Sequence, residues 1–388
     1  MFDRRREEFP SLDSGIHLLS HSLGPMPGRA RESLREYLDR WEGYGRENAW
    51  KAQWWDLSSE VGNRIARLLG AAEGSVQVQP NASVAVSAVA SCFDFGAGPR
   101  RKVVTTALEF PTTEYIWRAQ ERAGVIVIIV ASEDGVVTPV ERLLEAIDGE
   151  TALVVVSHAS YRSSFLLDPR PIVTRAHAAG SLVLLDVYQT AGVLPLDVAS
   201  WGVDFAVGGT IKWLCGGPSC GYLYVRPELL PELSPRLTGW IAHEEPFDFA
   251  PGPIRYAKGA RRFAQGTPGV AALYSCLPGL DILLSVGAEA IAAESRRRTQ
   301  WMVENALSRG WSLKSPAEED RRGGSVMLGA ADPERLEAEL TRRGVFADWR
   351  PGVVRLSPHF FNTDDEVAKT LEILGELLTP SLSGRGSG

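Results

Sequence analysis

The chain has 388 residues, 44% of them hydrophobic and 23% charged, and a formal net charge of −7 at pH 7. That length has room for two domains, and the composition is that of a globular protein rather than a disordered chain. Arginines and acids are interspersed, so there is no basic stripe for nucleic acid and no basic amphipathic helix for a membrane surface.

The chain opens on a charged stretch, Met1 to Glu8, without the apolar core of a secretory signal. Residues 28–42 and 50–69 read as two amphipathic helices, joined by a turn-prone loop that carries Arg46. Short β-branched runs then alternate with helical patterns. Strands are expected at 76–79, 102–105, 125–130, 152–157, 182–185, 205–208 and 222–225, and helices at 112–123, 140–147 and 169–178. Several strands are apolar at nearly every position, as in strands covered on both faces. The run at 222–225 follows a Gly-Gly-Pro turn and is expected to be antiparallel. No apolar run approaches the ~18 residues of a membrane span. The texture changes after Thr267-Pro268. A helical stretch covers about 270–308, with breaks expected near Gly279 and Gly287. A strand at 324–328, a helix at 333–343, a strand at 353–356 and a helix at 364–378 complete a smaller α+β unit. The Ser/Gly tail 381–388 reads as disordered. The expected organisation is α/β. A large domain, 15–285, holds a mostly parallel sheet flanked by helices; a small C-terminal α+β domain, 286–380, is joined by the N-terminal segment 1–14. Four cysteines, Cys92, Cys215, Cys220 and Cys276, form no CxxC pair and read as reduced thiols of a cytoplasmic protein.

Lys212 lies in Gly208-Gly209-Thr210-Ile211-Lys212-Trp213-Leu214, among apolar residues and glycines. A lysine there loses hydration and its pKa falls, which favours a neutral, nucleophilic amine able to form a Schiff base with a carbonyl cofactor. The plain alternative is a surface lysine whose stem crosses an apolar patch. Asp186 ends the buried run 182–185. A carboxylate at the carboxyl end of such a strand can keep a heteroaromatic nitrogen protonated; the alternative is a helix cap or ion pair. Lys212 follows at the end of the next strand, so the two outline a cofactor clamp. Asn81-Ala82-Ser83 opens a small-residue helix after a strand, which suits a phosphate or a simple cap. Phe110 follows another strand, where an aromatic can stack on a planar ring; taken alone, a core or staple aromatic is the favoured alternative. Arg355, on the run 353–356, has the fork needed for a carboxylate; the alternative is an outward-facing residue on an alternating strand. Gly217-Pro218-Ser219-Cys220-Gly221 matches the GxSxG pattern of hydrolases, but a strand rather than a helix follows it. No metal-binding pattern occurs.

Jointly these residues resemble the class V group of fold-type-I pyridoxal-phosphate enzymes, nearest to the kynureninase branch, over about residues 16–378. The stretch from Leu185-Asp186-Val187-Tyr188-Gln189 through Gly202-Val203-Asp204-Phe205 to Lys212 and Gly216-Gly217-Pro218 carries most of the resemblance. Ser22-Leu23-Gly24, Phe110-Pro111-Thr112, Gly239-Trp240 with His243, and Gly266-Thr267-Pro268 add to it.

The resemblance implies pyridoxal 5'-phosphate as cofactor and an amino acid as substrate. Lys212 would form the internal aldimine and Asp186 would pair with the pyridinium nitrogen. Phe110 would stack on the ring, with Gln189 beside it. Asn81, Ala82, Ser83, Trp240 and Thr267 would serve the phosphate, Thr267 from a partner subunit. Arg355 would take the substrate carboxylate, while His243, Ser22 and Arg46 would face its side chain. It further implies a homodimer with active sites at the interface. Thr113, Ile211, His21 and Arg46 depart from kynureninase usage. The reaction reads as side-chain cleavage by a β-lyase or hydrolase through a quinonoid; an aminotransferase or an isopenicillin N epimerase-like enzyme is the alternative, and a non-catalytic binding protein on the same scaffold is an alternative of another class. No cysteine follows Cys276, which argues against a cysteine desulfurase.

Overall fold

The computed structural model describes residues 5–44, 46–96 and 98–378; the tail 381–388 lies outside them. In chain order the elements are β1 (Ile16–His17), α1 (Ala30–Glu42), α2 (Trp55–Leu68, preceded by a π-helical turn at Trp50–Trp54), β2 (Val76–Gln79), α3 (Ala82–Ala90), β3 (Lys102–Thr106), α4 (Pro111–Gln120), β4 (Ile126–Val130), α5 (Val140–Ala146), β5 (Thr151–Ser157), α6 (Arg170–Ala178), β6 (Leu182–Asp186), β7 (Phe205–Gly209) and β8 (Gly221–Val225). The C-terminal part follows with α7 (Val270–Val286), α8 (Ala288–Ser308), β9 (Val326–Gly329), α9 (Pro333–Arg342), β10 (Val345–Phe346), β11 (Asp348–Arg350), β12 (Val353–Leu356) and α10 (Asp364–Leu378).

Seven strands form one sheet in the order β2-β8-β7-β6-β5-β3-β4. The pairs from β7 to β4 are parallel, and β8 runs antiparallel to both of its neighbours. Every residue of β7 and β8 is buried, as are six of the seven in β5, because helices cover both faces of the sheet. One apolar layer joins α2, α6 and α7 to the sheet; α3 and α4 close the other face. The C-terminal part holds a three-stranded antiparallel sheet, β11-β12-β9, packed on α8, α9 and α10. Among the described residues no single helix is long and apolar enough to cross a membrane.

The structure departs from the sequence expectations in two places. The break expected near Gly279 is absent, and α7 runs unbroken to Gly287, where φ is +91°. Gly279 serves close packing instead: a Cβ there would meet the Leu214 carbonyl oxygen at 2.4 Å, so the helix lies directly on the loop that carries Lys212. Pro278, one residue before, removes the N–H that would bond the Tyr274 carbonyl. Ser33 Oγ of α1 donates to that carbonyl at 2.7 Å and satisfies it from outside. The second departure concerns three short strands. β1 pairs in parallel with β10, and β11 extends the small sheet. At two or three residues they are too short to show an alternating pattern. Before β1, Arg6 donates to the Phe361 carbonyl at 3.0 Å and to Glu366 at 2.8 Å, which ties the N-terminal segment to the C-terminal part.

Candidate active site

The parallel strands point their carboxyl ends to one edge of the sheet, where ligands bind in open α/β folds. A cavity of about 240 Å³ opens there, lined by residues from the loops after β2, β3, β5, β6 and β7. The structure gathers Asn81, Ala82, Ser83, Phe110, Asp186, Gln189 and Lys212 around it, together with Thr112, Thr113, Ser157, Tyr161 and Tyr188.

Lys212 is partly buried and lines the cavity. Its Nζ lies 4.1 Å from the centre of the Tyr188 ring and 5.9 Å from that of Phe110. Burial lowers its pKa to about 8, against the pull of Asp186 and with help from the positive charges of Arg355 and Arg350. Burial also raises the pKa of Asp186, although Lys212 and the Tyr188 backbone N–H, which donates to Oδ1 at 2.8 Å, both favour its charged form. Asn81 caps α3 by accepting from the Val84 N–H at 3.0 Å. The N–H groups of Ala82 and Ser83, in the first turn, have no partner within the helix, and both residues line the cavity, an arrangement that suits an anion. Ser83 Oγ lies 3.4 Å from Thr112 Oγ1. Phe110 is 43% exposed, is followed by Pro111 as the first residue of α4, and packs edge-on against Tyr161 with ring centres 5.2 Å apart. Gln189 bridges two segments: Nε2 donates to the His21 carbonyl at 3.1 Å and Oε1 accepts from Trp213 Nε1 at 3.2 Å.

Ser22, Arg46, Trp240, His243, Thr267 and Arg355 do not line this cavity. Arg355 is buried behind it. Its Nη1 donates to the carbonyl of Tyr161, which does line the cavity, at 2.9 Å, while Nε and Nη2 bond Asp348. Thr267 lines a separate cavity of about 220 Å³ with Trp55, Ser219 and Arg261. Trp240 packs on Trp55, Phe247 and Phe249. His243 accepts the Glu245 N–H on Nδ1 at 3.0 Å, and Arg46 lies on an exposed loop. Ser219 sits on an exposed turn with φ +68° that leads into β8, and no helix follows it.

Three residues near the cavity carry no sequence signal of their own, Glu109, Tyr161 and Asp348; Tyr188 lies in the motif stretch after Asp186 without a role assigned to it there. Glu109 sits, partly buried, between two hydroxyls, accepting from Thr106 Oγ1 at 2.8 Å and from Ser157 Oγ. Burial, reinforced by the charge of Asp186, raises its pKa to about 7 against those hydrogen bonds. Its place immediately before Phe110 is the only hint the sequence holds.

A buried amine, a carboxylate on the neighbouring strand end, an aromatic face and an open helix N-terminus fit the aldehyde, ring nitrogen, ring and phosphate of pyridoxal phosphate. Comparison with known proteins agrees with that fit. The profile of the family described as Aminotransferase class-V matches residues 16–368. The chain belongs to this family. It is 32% identical over 371 residues to the uncharacterized aminotransferase YcbU of Bacillus subtilis, covering 95% of this chain and 96% of that protein. It is 30% identical over 390 residues to a kynureninase of Pseudomonas fluorescens, covering 96% and 91%. Among solved structures, a cysteine desulfurase from Thermococcus onnurineus NA1 superimposes with a TM-score of 0.85 at 19% identity, covering 96% of this chain and 97% of that one. A C-DES variant with glycine covalently linked to its pyridoxal-phosphate cofactor gives 0.85 at 21%, covering 96% and 99%. At such identities the structures speak for the fold alone. The class-V family member described here is therefore a pyridoxal-phosphate-dependent enzyme with the fold-type-I architecture.

Proposed function

We propose that this enzyme cleaves a side-chain bond of an amino acid, as a kynureninase-like β-lyase or hydrolase. The observation that carries the reading is the Lys212 amine, enclosed by the Phe110 and Tyr188 rings beside Asp186, in a chain 30% identical to kynureninase over 96% of its length. Bound there, pyridoxal phosphate supplies a carbonyl for Lys212 and an electron sink for the substrate's α-carbon. Lys212 Nζ then takes and returns the proton at that carbon. Asp186 holds the ring nitrogen protonated, and Ala82 and Ser83 hold the phosphate. Arg355, oriented by Asp348, receives the substrate carboxylate. Cys276 is buried within α7 and Cys215 beneath the lysine loop, so neither offers the exposed nucleophilic thiol of a desulfurase.

An aminotransferase is the second reading, favoured by the similarity to YcbU. A homodimer belongs to the proposal. Ser22, Arg46, Trp240, His243 and Thr267 lie off the Lys212 cavity; in the proposed dimer Thr267 serves the phosphate of the partner subunit's site.

The deciding experiment is an absorbance scan of the purified protein with pyridoxal phosphate, wild type beside Lys212→Ala, challenged with L-kynurenine and a panel of amino acids. A Lys212-dependent visible band with release of a cleaved side chain supports the lyase. Conversion of the cofactor to its amine form with release of a keto acid establishes the aminotransferase instead. Racemised substrate alone points to an epimerase. Absence of the band overturns the role of Lys212.

A further inference from the structure

Between β12 and α10 the chain passes against the loop that carries Lys212. His359 lies on this crossing, four residues after Arg355, and is fully buried. Its ring is tilted against the Trp213 indole, with centres 5.5 Å apart, and stacked on Phe361 at 5.0 Å. An apolar ring would fill that space as well, so packing does not explain the two nitrogens. Both are used. Nδ1 accepts the N–H of Phe360 at 2.8 Å, so the hydrogen of the neutral ring sits on Nε2, which donates it to the carbonyl of Trp213 at 3.3 Å. Burial, only partly offset by that carbonyl, lowers the pKa to about 3, so the neutral ring is the form present at pH 7. Asn362 fixes the backbone, its Oδ1 accepting the His359 N–H at 2.8 Å.

Trp213 follows Lys212 directly, and the carbonyls around the lysine are each held by a different segment. The Gly24 N–H donates to that of Ile211 at 2.8 Å, the Cys215 N–H to that of Lys212 at 3.0 Å, and His359 to that of Trp213. The last of these bonds joins the lysine loop to the segment that carries Arg355. We propose that His359 is a positioning residue, its Nε2–H tying the Lys212 loop to the Arg355 segment and so fixing the separation between the amine and the carboxylate site. The proposal rests on the readings of Lys212 as the cofactor lysine and of Arg355 as the carboxylate residue. The amine and the carboxylate of an amino acid leave the same carbon, so the two protein groups engage both at once only at a fixed separation. A directional hydrogen bond between their segments sets that separation more narrowly than apolar contact does.

The test is a spectral titration of the cofactor-loaded full chain with 2-aminoisobutyrate and with tert-butylamine, in which a methyl replaces the carboxylate. Neither has a hydrogen on the carbon that bears the amine, so the visible band reads binding rather than turnover. Wild type is compared with His359→Gln, His359→Asn, His359→Phe and Arg355→Lys. The amide of Gln reaches the place of Nε2, whereas that of Asn reaches only the place of Nδ1. The preference for the acid over the amine should fall about 5- to 30-fold in His359→Asn and His359→Phe and stay within about 3-fold of wild type in His359→Gln. Affinity for pyridoxal phosphate should stay within about 3-fold of wild type in all three. An unchanged preference in His359→Asn and His359→Phe would overturn the proposal. So would a loss in His359→Gln equal to that in His359→Asn, since the Nε2 donor would then not be what matters. Equal weakening of acid and amine, loss of the cofactor, or failure of both His359→Asn and His359→Phe to fold would make the residue structural only and overturn it too. A wild-type preference kept in Arg355→Lys would instead bring down the carboxylate reading of Arg355, and a wild-type protein with no Lys212-dependent band the cofactor-lysine reading; both failures are seen before any His359 variant is compared.

Discussion

Asp348 holds Arg355 by the side edge of its guanidinium. Arg355 Nε donates to Oδ1 at 2.7 Å and Nη2 to Oδ2, while His21 Nε2 lies 2.7 Å from the same Oδ1. Burial raises the carboxyl's pKa, but the hydrogen bonds from His21 and Arg355 outweigh it and hold Asp348 well below the usual carboxylate range. Burial lowers His21 to a pKa of about 4, so its ring is neutral at pH 7. Asp348 only accepts, so Nε2 carries a hydrogen, while Ser357 Oγ lies 2.6 Å from Nδ1 and donates to the Leu18 carbonyl at 2.9 Å. Nη1 is left to donate to the carbonyl of Tyr161, which lines the cavity. Asp348→Asn removes the charge that fixes Arg355 in place. The expected result is a loss of about 2–4 kcal/mol in urea denaturation, together with weaker binding of amino-acid substrates and unchanged affinity for pyridoxal phosphate. Because the folded pKa is depressed, the contribution of Asp348 is complete above the unfolded carboxylate range and is lost only as pH falls toward the folded value. The difference between wild type and Asp348→Asn should therefore persist down to about pH 4. Equal stability of the two proteins at pH 7 would contradict this.

Lys212 should make cofactor capture depend on pH in one direction. Its reactive form is the neutral amine, and burial brings its pKa down to about 8. The rate at which apoprotein develops the visible band with pyridoxal phosphate should rise about tenfold per pH unit below that value and level off above it. The folded pKa is lowered, so below about 8 the buried ammonium destabilises the fold, and the penalty fades as pH rises toward the ordinary lysine value of 10.5. Apo Lys212→Met should accordingly be more stable than wild type at pH 7, by about 1–3 kcal/mol, with the gain shrinking near pH 10. A flat rate profile between pH 6 and 9 would show that the amine is already neutral or lies elsewhere.

Much of this architecture is legible in the sequence. The strand runs 76–79 to 222–225 stand out because strands buried on both faces are apolar at nearly every position. The βαβ rhythm then fixes which strand ends share an edge, and Asp186 and Lys212 fall on consecutive ones. What does not show in sequence depends on contacts between distant segments. His21 and Asp348 are 327 residues apart, and Asp348 sits in a three-residue strand with no readable period. Gly279 is misread because a glycine in a helical pattern looks the same whether it ends the helix or admits a neighbouring backbone.

Asp186→Asn should separate cofactor binding from chemistry. The amide keeps the size of the carboxylate but loses the charge that holds a ring nitrogen protonated. Pyridoxal phosphate should still be retained through Lys212 and the α3 N-terminus, whereas turnover of the best amino acid from the panel should fall about 10²–10³-fold. Measured together, bound cofactor and product formation check both halves; turnover near the wild-type rate would remove Asp186 from the chemistry.

Asp204 is the contrasting case, a residue of the same motif stretch whose part is structural. It is fully buried at the start of β7 and accepts from the Val183 N–H at 2.7 Å and from His177 at 2.9 Å, with Arg226 2.9 Å from its other oxygen. It thereby ties β6, α6 and the end of β8 together at the edge of the sheet opposite the cavity. Breaking such a buried pair from one side leaves Arg226 and the Val183 N–H without their partner, at a cost of about 3–5 kcal/mol. Asp204→Ala should lose that much in thermal or urea denaturation. The material that remains folded should bind pyridoxal phosphate as tightly as wild type, because no atom of Asp204 reaches the cavity. A variant of normal stability that fails to take up the cofactor would reverse the assignment and place Asp204 in the site.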